Sequence, residues 1–188
     1  MHIAIVLKKH LHKQKISLLG NMLGRVDAIY NQNILISTGA LISFEHTTIN
    51  NRTSLSSITL LDLPLYMAQQ DILFIHHVFE LITYLLPIGM NDKTIFDLCL
   101  HLFKKQNLSA LEKKTFLCLL FYISGFIPFG IHKKIMQLST HPIDMIRKES
   151  LHLADEYIID EWLKACVQEH FTINGFKTRQ FLHIHNLI

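Results

Sequence analysis

The order of apolar and polar residues divides the chain into two stretches with different periods. From residue 2 to about residue 62 the apolar residues come in short runs. Ile3-Ala-Ile-Val-Leu7 reads as a strand, and the basic stretch Lys8 to Lys15 follows it. Ile16 to Leu23 and Arg25 to Tyr30 read as two more strands, broken by Gly20 and Gly24. Asn31-Gln-Asn33 predicts a turn and Ile34-Leu-Ile36 the start of another strand. Leu41-Ile-Ser-Phe44 and Leu55 to Leu61 supply two further strands, joined by the polar stretch Thr47 to Ser54. Five or so short strands in about sixty residues predict a small, highly curved barrel such as an OB-fold. Period alone does not separate that barrel from an SH3-like one.

Beyond Pro64 the period becomes helical. From Asp71 to Leu86 the apolar positions Ile72, Phe74, Ile75, Val78, Phe79, Leu81, Ile82, Leu85 and Leu86 cover one broad face, with His76, His77, Glu80, Thr83 and Tyr84 on the other. Pro87 to Gly89 ends that helix, and Asn91 is a candidate N-cap for the next, which runs to about Lys105 with Ile95, Phe96, Leu98, Cys99, Leu102 and Phe103 facing inward. The stretch 109–129 is the most sharply defined. Ser109 and Glu112 form a capping box, Gly125 and Pro128 close the segment, and Phe116 to Ile123 carries no charge. A helix apolar all round must be surrounded, and this run falls short of the roughly 20 residues a membrane span needs. A short basic helix with His132, Lys133 and Lys134 is expected after Pro128, another segment from Thr140-His141-Pro142, and a closing helix over 153–171 with Ile158, Ile159, Trp162, Leu163, Cys166 and Val167 as its core stripe. Asn174-Gly175 reads as a turn and Phe176 to Ile188 as an extended tail. The expected architecture is α+β: a barrel over 1–64 and an α-helical domain over 65–188.

Composition adds modest constraints. A chain of 188 residues with 49% hydrophobic residues can bury an ordinary core, and no secretory h-region follows the basic start. Cys99, Cys118 and Cys166 are widely spaced in apolar helical contexts, which predicts buried, reduced thiols in a cytoplasmic protein. The net charge of +3 is small, but its distribution is uneven: Lys8, Lys9, Lys13, Lys15 and Arg25 precede the first acid, Asp27. A basic first segment on a nearly neutral body points to a polyanionic partner.

No residue pattern in the chain marks reaction chemistry. Thirteen histidines are present, but neither His76/Glu80 nor His183/His185 has zinc-site spacing, and there is no Cys-x-x-Cys. There is no Gly-x-Ser-x-Gly elbow, and Gly20-Asn-Met-Leu-Gly24 lacks the lysine and hydroxyl of a phosphate loop. No catalytic residue, metal or cofactor is expected. The best functional candidate is Lys8-Lys9-His10-Leu11-His12-Lys13-Gln14-Lys15, where no acid interrupts the bases; a merely solvated loop would mix signs. The pairs Lys104/Lys105, Lys113/Lys114 and Lys133/Lys134 flank the central helix and are secondary candidates for partner binding.

In this order the chain resembles the bacterial recombination mediator family RecO, which begins with an OB-fold and continues into an α-helical domain. The likeness is carried by Ala4-Ile-Val-Leu-Lys-Lys9 with Leu23-Gly-Arg-Val26, by residues 60–86, and by Phe116-Leu-Cys-Leu-Leu-Phe-Tyr-Ile-Ser-Gly-Phe-Ile-Pro128. The resemblance implies a non-enzymatic DNA-repair protein in the cytoplasm, associated with the nucleoid. Such a protein binds single- and double-stranded DNA, anneals complementary strands, docks the C-terminal tail of single-stranded-DNA-binding protein, and joins RecR to aid RecA loading. It implies barrel contacts to DNA at Lys8, Lys9 and Arg25. Two departures stand out: Tyr30-Asn-Gln-Asn-Ile34 is neutral where many members carry a basic run, and no cysteine lies between 119 and 165 where many hold a four-cysteine zinc module. The competing expectation is a protein-interaction module with no nucleic-acid role.

Overall fold

The computed structural model describes residues 1–10, 14–30, 35–50, 52–105, 107–128 and 153–170, with the backbone alone for 65–70 and 153–155. The chain forms two compact units, Met1–Gln106 and Asn107–Ile188. The expected turn at 31–33, the segments at 132–134 and 140–142, and the turn and tail from 174 onward lie outside the described residues.

Five strands close into a barrel: β1 His2–His10, β2 Lys15–Gly20, β3 Gly24–Tyr30, β4 Leu41–Ile49 and β5 Arg52–Asp62. Their order around the barrel is β1-β2-β3-β5-β4, with β4 returning to β1; every pair is antiparallel except β3 with β5. This is an OB-like barrel. Period-two alternation fills its interior with Ala4, Val6, Ile16, Leu18, Ala28, Tyr30, Ile42, Phe44, Leu55 and Ile58. The strand expected from Ile34 is absent over 35–40, although Ile36 and Ala40 enter the core. There the backbone meets β1 only locally, through Val6 N–H to Ala40 C=O at 2.9 Å and Gly39 N–H to Val6 C=O at 2.7 Å. A second difference concerns Thr47 to Ser54. This is not a loop but the far end of the β4–β5 hairpin, paired from Thr47↔Ser54 to Ile49↔Arg52. Its polarity reflects strands that leave the barrel and bury neither face.

The outer side of the barrel is not all solvated. Ile5 and Leu19 pair across β1 and β2 on the face opposite the core and are fully buried, and α1 (Leu65–Leu85) packs against β1. Helix α1 kinks at Asp71, whose φ of −153° and ψ of 64° are not helical and whose carboxylate accepts the Phe74 N–H at 3.0 Å. Asp71 thus works as an internal N-cap. The wheel read from sequence is corrected at two positions. Ile72 lies exposed just past the kink, and His77 is buried between the Phe74 and Leu81 turns of the packed face. Helix α2 (Lys93–Lys104) is capped by Asp92, whose carboxylate accepts from Thr94 and Ile95 N–H; Asn91, the cap expected from sequence, instead donates its side-chain N–H to Met22 C=O at 2.9 Å. Phe79 and Phe103 meet edge to face at 6.0 Å between α1 and α2.

In the second unit, α3 (Ala110–Ile123) carries the complete Ser109/Glu112 capping box. It ends in a Schellman motif: Gly125 (φ +82°) donates to Tyr122 C=O and Phe126 to Phe121 C=O. Lys114 through Phe121 are buried in succession, as a helix apolar all round requires. Helix α4 (Leu153–His170) packs on α3 and buries Ile159, Trp162, Leu163 and Cys166. The Cys166 thiol donates to Phe126 C=O, and the His170 ring lies 3.1 Å from Ile127 C=O, seating the end of the α3 turn on α4. Among the described residues no helix is long and apolar enough to cross a membrane.

Gly24 tests the junction between β3 and the α1–α2 connection. Its φ is +66°, and an added Cβ would lie 1.9 Å from Met90 C=O. Gly24→Ala should lower stability by at least about 3 kcal/mol, since backbone would have to move against backbone. Gly89→Ala, also at positive φ but with open space around it, should lose only about 1 kcal/mol. Urea unfolding followed by circular dichroism separates the two; equal losses would contradict the packing described.

Candidate nucleic-acid interface

Strict alternation would point Lys8 into the barrel with Ala4 and Val6. It does not do so, because the β1–β2 register slips between Val6 and Lys8, leaving Leu7 bulged. After the bulge, Lys8 pairs with Ser17, on the outer face, and is exposed; Lys9 pairs with Ile16 and is half-buried at the barrel end. Neither lysine makes an ion pair among the described residues. Lys13 lies outside the described residues.

Lys15 and Arg25 are placed differently. Lys15 has the acid partner that its neighbourhood in sequence lacks: its ammonium stands 2.9 Å from the Asp27 carboxylate on β3, and Ser17 donates to the same carboxylate at 2.6 Å. Burial pushes Asp27 up, but the bonds from Lys15 and Ser17 and the charges of Lys15 and Arg25 outweigh it and hold the carboxyl below the usual range. Arg25 turns its guanidinium onto the end of α1, donating to Thr83 C=O and, at 2.7 Å, to Leu86 C=O. Helix α1 has no basic residue in its last turn, so a cation from β3 meets the negative end of its dipole. The backbone reinforces this contact through Arg25 N–H to Met90 C=O (3.2 Å) and Gly89 N–H to Arg25 C=O (2.7 Å).

Of the helical lysines, Lys104 is exposed, Lys105 and Lys113 are half-buried, and Lys133 and Lys134 lie outside the described residues. Lys114 is buried on α3 and bonded to Glu156 (3.0 Å) and Asp160 (3.0 Å) of α4. Burial lowers its pKa, but the bonds and charges of Asp160 and Glu156 outweigh that and hold it above the ordinary lysine value. Its place in the sequence, beside Lys113 at a helix start, gave no hint of this internal ion triad.

The barrel end that carries Lys8 can be followed across the sheet. His10 is opposite Lys15, Lys15 opposite Ile29, Ile29 opposite Ser54, and Ser54 opposite Thr47. Two residues beyond Ser54 along β5, opposite Ile49, stands Arg52, which is not marked out in the sequence because it stands alone in a polar stretch. The one outward signal available was Arg52 between Asn50-Asn51 and hydroxyl residues. No aromatic ring projects from the outer face of β2 and β3 among the described residues, Tyr30 being in the core. The surface therefore holds charge without a stacking platform.

All three cysteines are free and buried. Burial pushes the Cys99 thiol up to about 12, and burial with the Glu169 charge does the same for Cys166. Among the described residues no group of three His, Cys, Asp or Glu side chains could hold a metal ion. The models of known protein families yield no match to the chain, and neither do characterised proteins.

Two substitutions separate structural from exposed cations. Arg25→Ala should lower the stability of the first unit by about 2–3 kcal/mol by leaving helix-end carbonyls without their donor, whereas Lys8→Ala should stay within about 0.5 kcal/mol. Hydrogen exchange at the α1 C-terminus reads the difference, and wild-type protection in Arg25→Ala would refute the role given to Arg25. For the second unit, Lys114→Met should cost about 1–3 kcal/mol near neutral pH, because two partly exposed carboxylates lose their cation. A raised lysine pKa stabilises fully below its unfolded value of 10.5 and less as pH climbs through the folded value. Calorimetry should therefore show the gap between wild type and Lys114→Met narrowing on the alkaline side; a gap unchanged with pH would rule the triad out as its source.

Proposed function

We propose that this chain is a non-enzymatic, RecO-like DNA-binding mediator of recombinational repair, whose OB-like barrel takes the phosphate backbone at the end of β1. The observation that carries the proposal is the bulge at Leu7, which turns Lys8 outward beside Lys9 at the mouth of the β1–β2 connection, with no carboxylate paired to either among the described residues. OB-like barrels use that connection, the faces of β2 and β3, and the β4–β5 loop for oligonucleotides. With no exposed ring on the β2–β3 face, binding rests on phosphate neutralisation rather than base stacking. It is then tolerant of sequence and suits annealing of complementary strands, single- or double-stranded. Annealing breaks no covalent bond and needs no cofactor. Docking of the single-stranded-DNA-binding protein tail, RecR contact and RecA loading belong to the same proposal and rest on the sequence resemblance; Lys104, Lys105 and Lys113 are the described cations offered to an acidic tail. Arg25, Lys15 and Lys114 support the fold in this scheme.

A second reading, a protein-docking module without DNA, draws on one observation. Met22, Ile88 and Met90 are exposed where the β2–β3 turn and the α1–α2 connection are tied together by the Asn91–Met22 bond. Flexible methionines suit an adaptable protein contact.

Salt decides between the two. Fluorescence anisotropy with a labelled single-stranded oligonucleotide should show micromolar or tighter binding at low salt that falls steeply as salt rises. The double variant Lys8→Ala/Lys9→Ala should bind more weakly, with a log–log salt slope shallower by roughly 1.4, about 0.7 for each single-strand phosphate that is no longer neutralised. Affinity and slope unchanged in that variant would remove the site from β1. No binding at low salt would leave the docking module.

A further inference from the structure

The far end of the β4–β5 hairpin holds a hollow lined by Thr47, Ile49, Asn50, Arg52 and Ser54. Register explains why these side chains meet. Thr47 is opposite Ser54 and Ile49 opposite Arg52, two residues apart along each strand and therefore on one face. Thr48 and Thr53 occupy the other face, where their hydroxyls bond to each other at 3.2 Å and do not compete. The polar lining is rich in donors: a guanidinium, two hydroxyls and the Asn50 amide. The nearest acid along the same face is Glu45, one pair further in opposite Ser56, and its carboxylate accepts the Ser57 hydroxyl at 2.9 Å. Arg52 is exposed and makes no ion pair among the described residues. A cation, two hydroxyls and an amide around one open hollow match the three oxygens of a phosphate group. The planar fork of arginine can hold two of them.

The hollow lies on one row of paired residues with the interface already described. Ser54 pairs with Ile29, Ile29 with Lys15, and Lys15 with His10, so Ser54 and His10 stand three strand spacings apart along this row, about 14 Å. Ile29, at 43% exposure, forms an apolar bridge between the two ends of this row. We propose that Arg52, with the hydroxyls of Thr47 and Ser54, forms a phosphate-binding site at the β4–β5 hairpin, and that a polynucleotide crossing the barrel end engages it together with Lys8 and Lys9. The polynucleotide rests on the DNA-binding reading above; the phosphate site stands on the hollow itself.

The test uses the full chain. In oligonucleotide anisotropy, Arg52→Ala should weaken binding about tenfold, as removing a charge-assisted hydrogen bond does. Its salt slope should fall by roughly 0.7, that of one phosphate on a single strand. Arg52→Lys should keep the slope while recovering only part of the affinity, because the charge remains and the fork is gone. Wild-type affinity and slope in Arg52→Ala, with the wild-type protein binding DNA, would overturn this inference and leave the DNA-binding reading standing. If the wild-type protein binds no DNA, that reading fails, and an NMR titration with inorganic phosphate decides the hollow separately. Amide shifts confined to Thr47–Ser54 would assign it to a free phosphate group. Their absence would overturn the site as well.

Discussion

The fold of the first unit depends on one charge placed at one helix end. Helix α1, which packs against β1, finishes without a basic residue in its last turn to meet its last carbonyls. Arg25 comes from β3 to meet Thr83 and Leu86 C=O, and everything nearby follows from that contact. The connection from Leu86 to Asn91 is drawn along the β2–β3 turn, exchanging backbone hydrogen bonds with Arg25 and a side-chain bond with Met22. Met90 C=O then comes so close to residue 24 that only a glycine fits. The helices α1 and α2 are in consequence part of the same compact unit as the barrel.

The same logic governs the rest of the positive charge. Two of the cations in the first 26 residues have partners within the fold: Lys15 pairs with Asp27, and Arg25 donates to a helix end. In the second unit Lys114 joins α3 to α4 through Glu156 and Asp160. Such internal ion pairs act on stability and on its pH dependence. The barrel cations without an ion pair among the described residues are Lys8, Lys9 and Arg52. Lys8 and Arg52 owe their exposure to local irregularities of the strands, a bulge in β1 and a hairpin that outruns the barrel, while Lys9 stays half-buried opposite Ile16.

Much of this was legible in the residues. Helix α3 was defined almost to the residue because its signals are local: a capping box at Ser109/Glu112 and a glycine in left-handed conformation at 125. The barrel strands were legible because alternation over four to six residues is also a local signal. Arg25 was legible only as a charge. Its role requires β3 and the end of α1, some 60 residues apart in sequence, to be neighbours, and no short-range pattern encodes that. His77 and Ile72 differ from expectation for a similar reason: Ile72 stands just past the kink at Asp71 and is exposed, and His77 falls between Phe74 and Leu81 on a packed face that is broader than the apolar residues alone mark out.

By itself, then, the sequence determined the core-forming parts of the five strands, the helical character after Pro64, where α3 begins and ends, and that the thiols are buried, because each follows from backbone conformation and apolar spacing within a few turns; the missing strand at 35–40 and the extension of the β4–β5 hairpin through 47–54 were set by pairing in the barrel. Tertiary structure alone decided which cations face solvent. A one-residue slip in the β1 register moves Lys8 from the inside of the barrel to its surface, while three distant acceptors, Asp27, the α1 carboxyl-terminal carbonyls and the α4 carboxylates, engage Lys15, Arg25 and Lys114 in bonds within the fold. A charge can be read from a residue's identity, but whether it is available depends on what the fold sets within about 3 Å of it.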